Sequence, residues 1–122
     1  MTAQRSRPFL LGHRGARGVR SIPENTIASF DRALADGCHG FEFDVRLTAD
    51  GEPVICHDPE VKGKKIEEVS ADQLPCLARL AGVLKRYQDR AFLNIELKVI
   101  GLEKVTAKLL RQFPPRRGVI VS

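Results

Sequence analysis

Gly40-Phe41-Glu42-Phe43-Asp44-Val45-Arg46-Leu47 decides the fold. The stretch alternates with period two, the signature of a β-strand. Phe41, Phe43, Val45 and Leu47 face one side, and Glu42, Asp44 and Arg46 the other. A half-exposed antiparallel strand could carry this pattern. A strand inside a closed parallel sheet buries both faces, and two buried carboxylates are then costly unless a cation neutralises them. Spacing i, i+2 sets Glu42 and Asp44 about 7 Å apart along the chain.

Downstream, Asp50-Gly51 signals a tight hairpin, with Pro53 to Cys56 as the returning strand. If these two residues form the turn, opposed positions have Leu47 facing Val54 and Asp44 facing His57. The turn alone then brings His57 beside Asp44 and near Glu42. A one-residue bulge would break this register.

Upstream, Phe9-Leu10-Leu11 reads as a buried strand ending in Gly12-His13-Arg14-Gly15. A helix is expected from about Asn25 to Asp36, with Asn25 as N-cap and Gly37 just past its end. Beyond the hairpin, Val61 to Val69 is loop-like. Ser70 and Gln73 suggest a capping box. A helix follows from about Cys76 to Gln88, then a strand over Ala91 to Val99 and a helix over Leu102 to Phe113. Gly118 to Ser122 begins a further strand. Strands alternating with helices imply an α/β unit on parallel strands.

The chain has 122 residues, 43% hydrophobic and 29% charged, which suits one globular unit and excludes a disordered chain. No apolar run reaches the roughly 18 residues of a membrane span. Residues 1–8 read as a polar tail with no secretory signal, so a cytoplasmic location is expected. The net charge of +5 favours anionic partners. With one Tyr and no Trp, a nucleic-acid surface is not expected. Cys38, Cys56 and Cys76 form no CxxC pair and are expected as buried, reduced thiols.

Chemistry-bearing residues gather at strand ends, where parallel α/β folds build their sites. They are His13 and Arg14, Glu42 and Asp44, His57, and Glu96 with Lys98. Three carboxylates suit a hard divalent ion, Mg²⁺ or Ca²⁺ with Mn²⁺ as the third candidate. Two histidines can move protons. Arg and Lys can hold phosphate charge. The inventory fits metal-assisted cleavage of a phosphoester.

The ordered segments Gly12-His13-Arg14-Gly15-Ala16, Pro23-Glu24-Asn25-Thr26, Phe41-Glu42-Phe43-Asp44-Val45, Leu47-Thr48-Ala49-Asp50-Gly51, Val54-Ile55-Cys56-His57-Asp58 and Ile95-Glu96-Leu97-Lys98 resemble the N-terminal half of a glycerophosphodiester phosphodiesterase domain. The resemblance implies a (β/α)₈ barrel of TIM type. It also implies hydrolysis of a small-molecule glycerophosphodiester to sn-glycerol 3-phosphate and an alcohol. It makes His13 and His57 the acid–base pair and Glu42, Asp44 and Glu96 the ligands of one divalent cation. Arg14 and Lys98 become substrate contacts, Glu24 and Asn25 play a supporting part, and His39 is a loop histidine.

A complete barrel of this type needs about 250 residues. Residues 9–122 are therefore expected to be the first half of the domain, truncated at the C-terminus. An open half-barrel is expected to self-associate through its edges and to be weakly active or inactive alone. The competing expectations are a non-catalytic, self-associating half-barrel and a related phospholipase-type phosphodiesterase.

Overall fold

The computed structural model describes residues 9–16 and 21–122. The expected polar tail, residues 1–8, and part of the loop before Pro23 lie outside the described residues. The strands are β1 (Leu11–His13), β2 (Gly40–Leu47), β3 (Pro53–Ile55), β4 (Glu60–Val61), β5 (Lys64–Lys65), β6 (Phe92–Leu97) and β7 (Val119–Val121). The helices are α1 (Ile27–Ala35), α2 (Leu80–Tyr87) and α3 (Glu103–Gln112).

Four strands pair in the order β1-β2-β6-β7, every pair parallel. Each step from β1 to β2, β2 to β6 and β6 to β7 passes through a helix, the βαβ connection parallel strands require. β3 joins the edge of β2 beyond the end of β1, antiparallel, over Val45–Leu47. Gly40 lies level with Phe92 of β6, backbone against backbone. A Cβ there would strike the Phe92 backbone, so a side chain would force the strands apart.

Phe41, Phe43 and Val45 of β2 and Leu93 and Ile95 of β6 are fully buried on the helix-covered face. Phe30 of α1 stacks on Phe41 with ring centroids 4.1 Å apart, and Tyr87 of α2 meets Phe41 edge-on at 4.9 Å. Leu80, Val83 and Leu84 of α2 complete the same core. A second, smaller cluster of Val54, Ile66, Ala71 and Leu74 holds the segment between β3 and α2.

Several local expectations change. β1 starts at Leu11, and Phe9 and Leu10 are exposed instead of buried. The β2–β3 hairpin pairs Val45 with Ile55 and Leu47 with Pro53, one residue off the two-residue-turn register. Its loop is the three residues Ala49-Asp50-Gly51. Gly51 has φ +80 and donates to the Thr48 carbonyl, and Thr48 N–H donates to the Glu52 carbonyl. The Thr48 side chain selects this loop. Its hydroxyl donates to the Asp50 carboxylate and accepts the Glu52 N–H at 3.0 Å. A type I′ turn would put positive φ on Asp50 as well. Asp44 is therefore level with Cys56, whose N–H donates to the Asp44 carbonyl at 3.0 Å, and not with His57.

The N-cap of α1 is Thr26, not Asn25; the Thr26 hydroxyl accepts the Ser29 N–H at 3.2 Å. Ser70 makes no side-chain cap. α2 starts at Leu80 rather than Cys76 because the preceding residues run along β3. The Ile55 N–H donates to the Ala78 carbonyl, and Val54 bridges Arg79. The loop expected over Val61–Val69 contains the β4–β5 ribbon, turned at Lys62-Gly63, and a short 3₁₀ turn at Ile66–Glu68. The cysteines are free, but Cys76 is exposed and Cys38 and Cys56 are half-buried.

Candidate active site

Parallel register assembles the site. In it, His13 lies level with Glu42, and Asp44 level with Glu96. Level residues on neighbouring strands point the same way. Thus β1, β2 and β6 turn His13, Glu42, Asp44 and Glu96 to the face opposite the helix-covered core. Carboxylate oxygens of Glu42, Asp44 and Glu96 come within 4.8 Å of one another.

The cations sit around this cluster. The Arg14 backbone N–H donates to Glu42 Oε2 at 3.2 Å, and Arg14 Nε lies 3.2 Å from Asp44 Oδ2. Its other arm donates from Nη1 to both Glu24 oxygens at 3.2 Å. Lys98 Nζ donates to Glu96 Oε1 at 3.3 Å. His13 Nδ1 is 3.6 Å from Glu42 Oε2.

Arg14 is held at φ +51, a left-handed conformation that is strained for a residue with a Cβ. The Ser29 hydroxyl fixes it, donating to the Arg14 carbonyl at 2.9 Å and accepting the Ala16 N–H at 2.6 Å. Gly15, at φ +80, leaves the room this needs, since a Cβ there would overlap the Ser29 hydroxyl.

Asn25 is buried and also left-handed, at φ +57. Its N–H donates to the Arg14 carbonyl at 2.9 Å and its Nδ2 to Asp44 Oδ2 at 3.0 Å. Sequence pattern gave Asn25 to helix capping. The fold instead gives the cap to Thr26 and turns Asn25 into the site, a second contact to the most buried carboxylate. Ser29 carried no sequence signal, being one polar residue on a helix.

Charges in the cluster pull unequally. Burial first, and then the neighbouring Asp44 charge, push the Glu42 carboxyl up to about 7. Burial also raises Asp44, but the hydrogen bond from Asn25, the adjoining Glu96 carboxyl and the charges of Arg14 and His57 outweigh it. Its carboxyl lies below the ordinary range. One strand thus carries an easily protonated carboxyl two residues from a firmly ionised one.

Among the described residues, Glu42 Oε1 and Asp44 Oδ1 are buried acceptors with no hydrogen-bond partner. Each such oxygen costs about 1–3 kcal/mol or more when left unpaired. Both belong to the same three-carboxylate cluster. The all-oxygen donor set fits a hard divalent cation.

His57 reaches the site by a route other than the hairpin register. β3 ends at Ile55 and the chain turns, leaving His57 close enough for its charge to favour ionised Asp44. Arg46 Nε donates to the His57 carbonyl at 2.9 Å. His57 also lines a cavity of about 360 Å³, walled by Pro23, Ile55, Val61 and Leu77. His39 stands apart; its Nδ1 accepts the Leu10 N–H at 3.0 Å and its ring stacks on Phe9.

The family model for the glycerophosphoryl diester phosphodiesterase family matches residues 13–114. A glycerophosphodiester phosphodiesterase of Caldanaerobacter subterraneus subsp. tengcongensis is 31% identical, over 93% of this chain and 57% of that protein. The crystal structure of a glycerophosphodiester phosphodiesterase from Thermotoga maritima superposes with a TM-score of 0.85 at 26% identity, over 97% of this chain and 54% of the other. A phosphodiesterase of Oleispira antarctica, solved in complex with the product sn-glycerol-3-phosphate, superposes with a TM-score of 0.79 at 28% identity, over 93% of this chain and 56% of the other. The chain spans about half the length of these relatives. Its fold is a partial (β/α)₈ barrel.

Proposed function

Because the chain belongs to the glycerophosphoryl diester phosphodiesterase family, we propose that residues 9–122 supply the first half of a domain that hydrolyses glycerophosphodiesters to sn-glycerol 3-phosphate and an alcohol. One observation carries the reading. Glu42, Asp44 and Glu96 converge within 4.8 Å, and two of their oxygens are buried without partners. Those three residues would hold one divalent cation, Mg²⁺, Ca²⁺ or Mn²⁺. When bound, it would polarise the phosphate and balance its charge.

The chain's own residues supply the rest. Arg14 presents a guanidinium fixed by Glu24 and Asp44, which suits the planar recognition of a phosphate. Lys98 adds a second positive charge beside Glu96. His13, at the end of β1, and His57, after β3, supply two imidazoles that could accept and return a proton. Asn25 ties the Arg14 loop to Asp44, so anchoring and phosphate recognition share one support. Among the described residues no helix is long and apolar enough to cross a membrane.

The test is release of glycerol 3-phosphate from glycerophosphocholine by the purified chain, with and without EDTA, beside His13→Ala and a Mn²⁺ titration of Asp44→Asn. Weak, EDTA-sensitive, His13-dependent release and one Mn²⁺ site lost in the Asp44 variant are expected. Release that persists in EDTA or in the His13 variant, or a wild-type chain that binds no Mn²⁺, overturns the reading.

A further inference from the structure

We propose that Asp58 is a positioning residue for His57: its carboxylate holds the imidazole in the tautomer and orientation that leave Nε2 free to accept a proton. The inference rests on the reading of His57 as one of the two acid–base groups. His57 Nδ1 and Asp58 Oδ1 are 2.8 Å apart. Ionised Asp accepts hydrogen bonds only, so this contact places the Nδ1 hydrogen on the imidazole. The other ring nitrogen is left as the acceptor.

The pair is held at the His57 backbone. Arg46 Nε donates to the His57 carbonyl at 2.9 Å. Arg46 on β2 thus anchors His57, and Asp58, its neighbour in sequence, meets it without a distant element. By contrast, the carboxylate nearest His13 is Glu42, at a longer 3.6 Å, and Glu42 belongs to the three-carboxylate cluster. His57 has a carboxylate of its own.

An ideal strand would send residues 57 and 58 to opposite sides. The departure from strand geometry after Ile55 lets neighbours in sequence meet. The Asp58 side chain is 74% exposed, so removing it leaves the core intact.

The test compares wild type with Asp58→Ala and Asp58→Asn. Long-range proton–nitrogen NMR of the imidazoles at about pH 8, where histidine is mostly neutral, reads the tautomer without requiring turnover. Wild type is expected to hold His57 with its proton on Nδ1; Asp58→Asn, whose amide can donate to Nδ1 as well as accept, is expected to release that choice. Asp58→Ala is expected to shift the proton toward Nε2.

On glycerophosphocholine, Asp58→Ala is expected to lower kcat about tenfold, the size of loss when a metal-bound histidine loses its carboxylate partner, with KM unchanged and little of the loss restored by Asp58→Asn. A His57 tautomer indifferent to Asp58→Ala overturns the proposal, whether or not the chain turns over substrate. So does an unchanged kcat in a variant whose tautomer has shifted. If His57→Ala itself leaves turnover intact, the acid–base reading of His57 fails, while the NMR result still decides whether Asp58 sets the tautomer.

Discussion

Raising the pH should weaken the metal-free protein, and Glu42 is the reason. In the folded chain its carboxyl is pushed from 4.5 up to about 7, by burial first and then by Asp44. A folded-state value above the unfolded one means that the folded chain binds this proton more tightly. Its stabilising contribution is full below pH 4.5 and is lost as pH rises through about 7. That interval, at about 1.4 kcal/mol per pH unit, gives an upper bound on the order of 3 kcal/mol.

Asp44, held low, works in the opposite sense. Its contribution is present above 3.8 and lost as pH falls, outside the Glu42 window. For a chain of this size, ~3 kcal/mol corresponds to roughly 10 °C or more in melting temperature. The assay is thermal unfolding in EDTA from pH 5 to pH 8, with Glu42→Gln as the neutral isostere that cancels whatever other groups contribute. Wild type should lose stability across the range, and Glu42→Gln should lose much less. Added Mg²⁺ or Ca²⁺ should restore the wild type most at high pH, because ionised ligands bind the cation. A wild-type melting temperature that is flat in EDTA, or a slope shared by Glu42→Gln, would refute the reasoning.

Other expectations follow from single contacts. Asn25→Ala removes the Nδ2 donor to Asp44. It should weaken Mn²⁺ binding in a fluorescence or calorimetric titration while the far-UV spectrum stays unchanged; unaltered binding would place Asn25 outside the site's support. Gly15→Ala forces a Cβ onto the Ser29 hydroxyl at a positive φ, and urea unfolding should show a loss of about 1–2 kcal/mol or more. Phe30→Ala empties the stack on Phe41 and should cost about 3–5 kcal/mol in the same assay. Burial pushes the Cys56 thiol up, while Cys76 is exposed. Iodoacetamide with mass mapping should therefore label Cys76 well before Cys56, and equal rates would contradict the packing around Cys56.

The alternation of Gly40–Leu47 determined a great deal by itself. Period two fixes which side chains share a face, so Glu42 and Asp44 had to point together, away from Phe41 and Phe43. The same logic paired Glu96 with the site face of β6. Helix positions were also legible, because the apolar stripes of α1, α2 and α3 repeat at helical spacing. Ends were less so. Thr26, not Asn25, caps α1 because a site residue and a cap competed for adjacent positions, and only the tertiary contact to Asp44 decides between them.

What the tertiary structure alone decided is lateral register and loop geometry. No local pattern states that Asp44 lies level with Glu96 or His13 with Glu42. That depends on how β1, β2 and β6 slide against each other as Gly40 lets β2 approach Phe92. The hairpin shows the limit most plainly. A Thr48 hydroxyl bonded to Asp50 and Glu52 adds one residue to the turn and moves His57 off the Asp44 level. β3 ends at Ile55, and beyond it Asp58 folds back onto His57. Pattern along a chain fixes direction within one strand; distance between strands and across turns is set by packing, and the carboxylate cluster exists only at that second level.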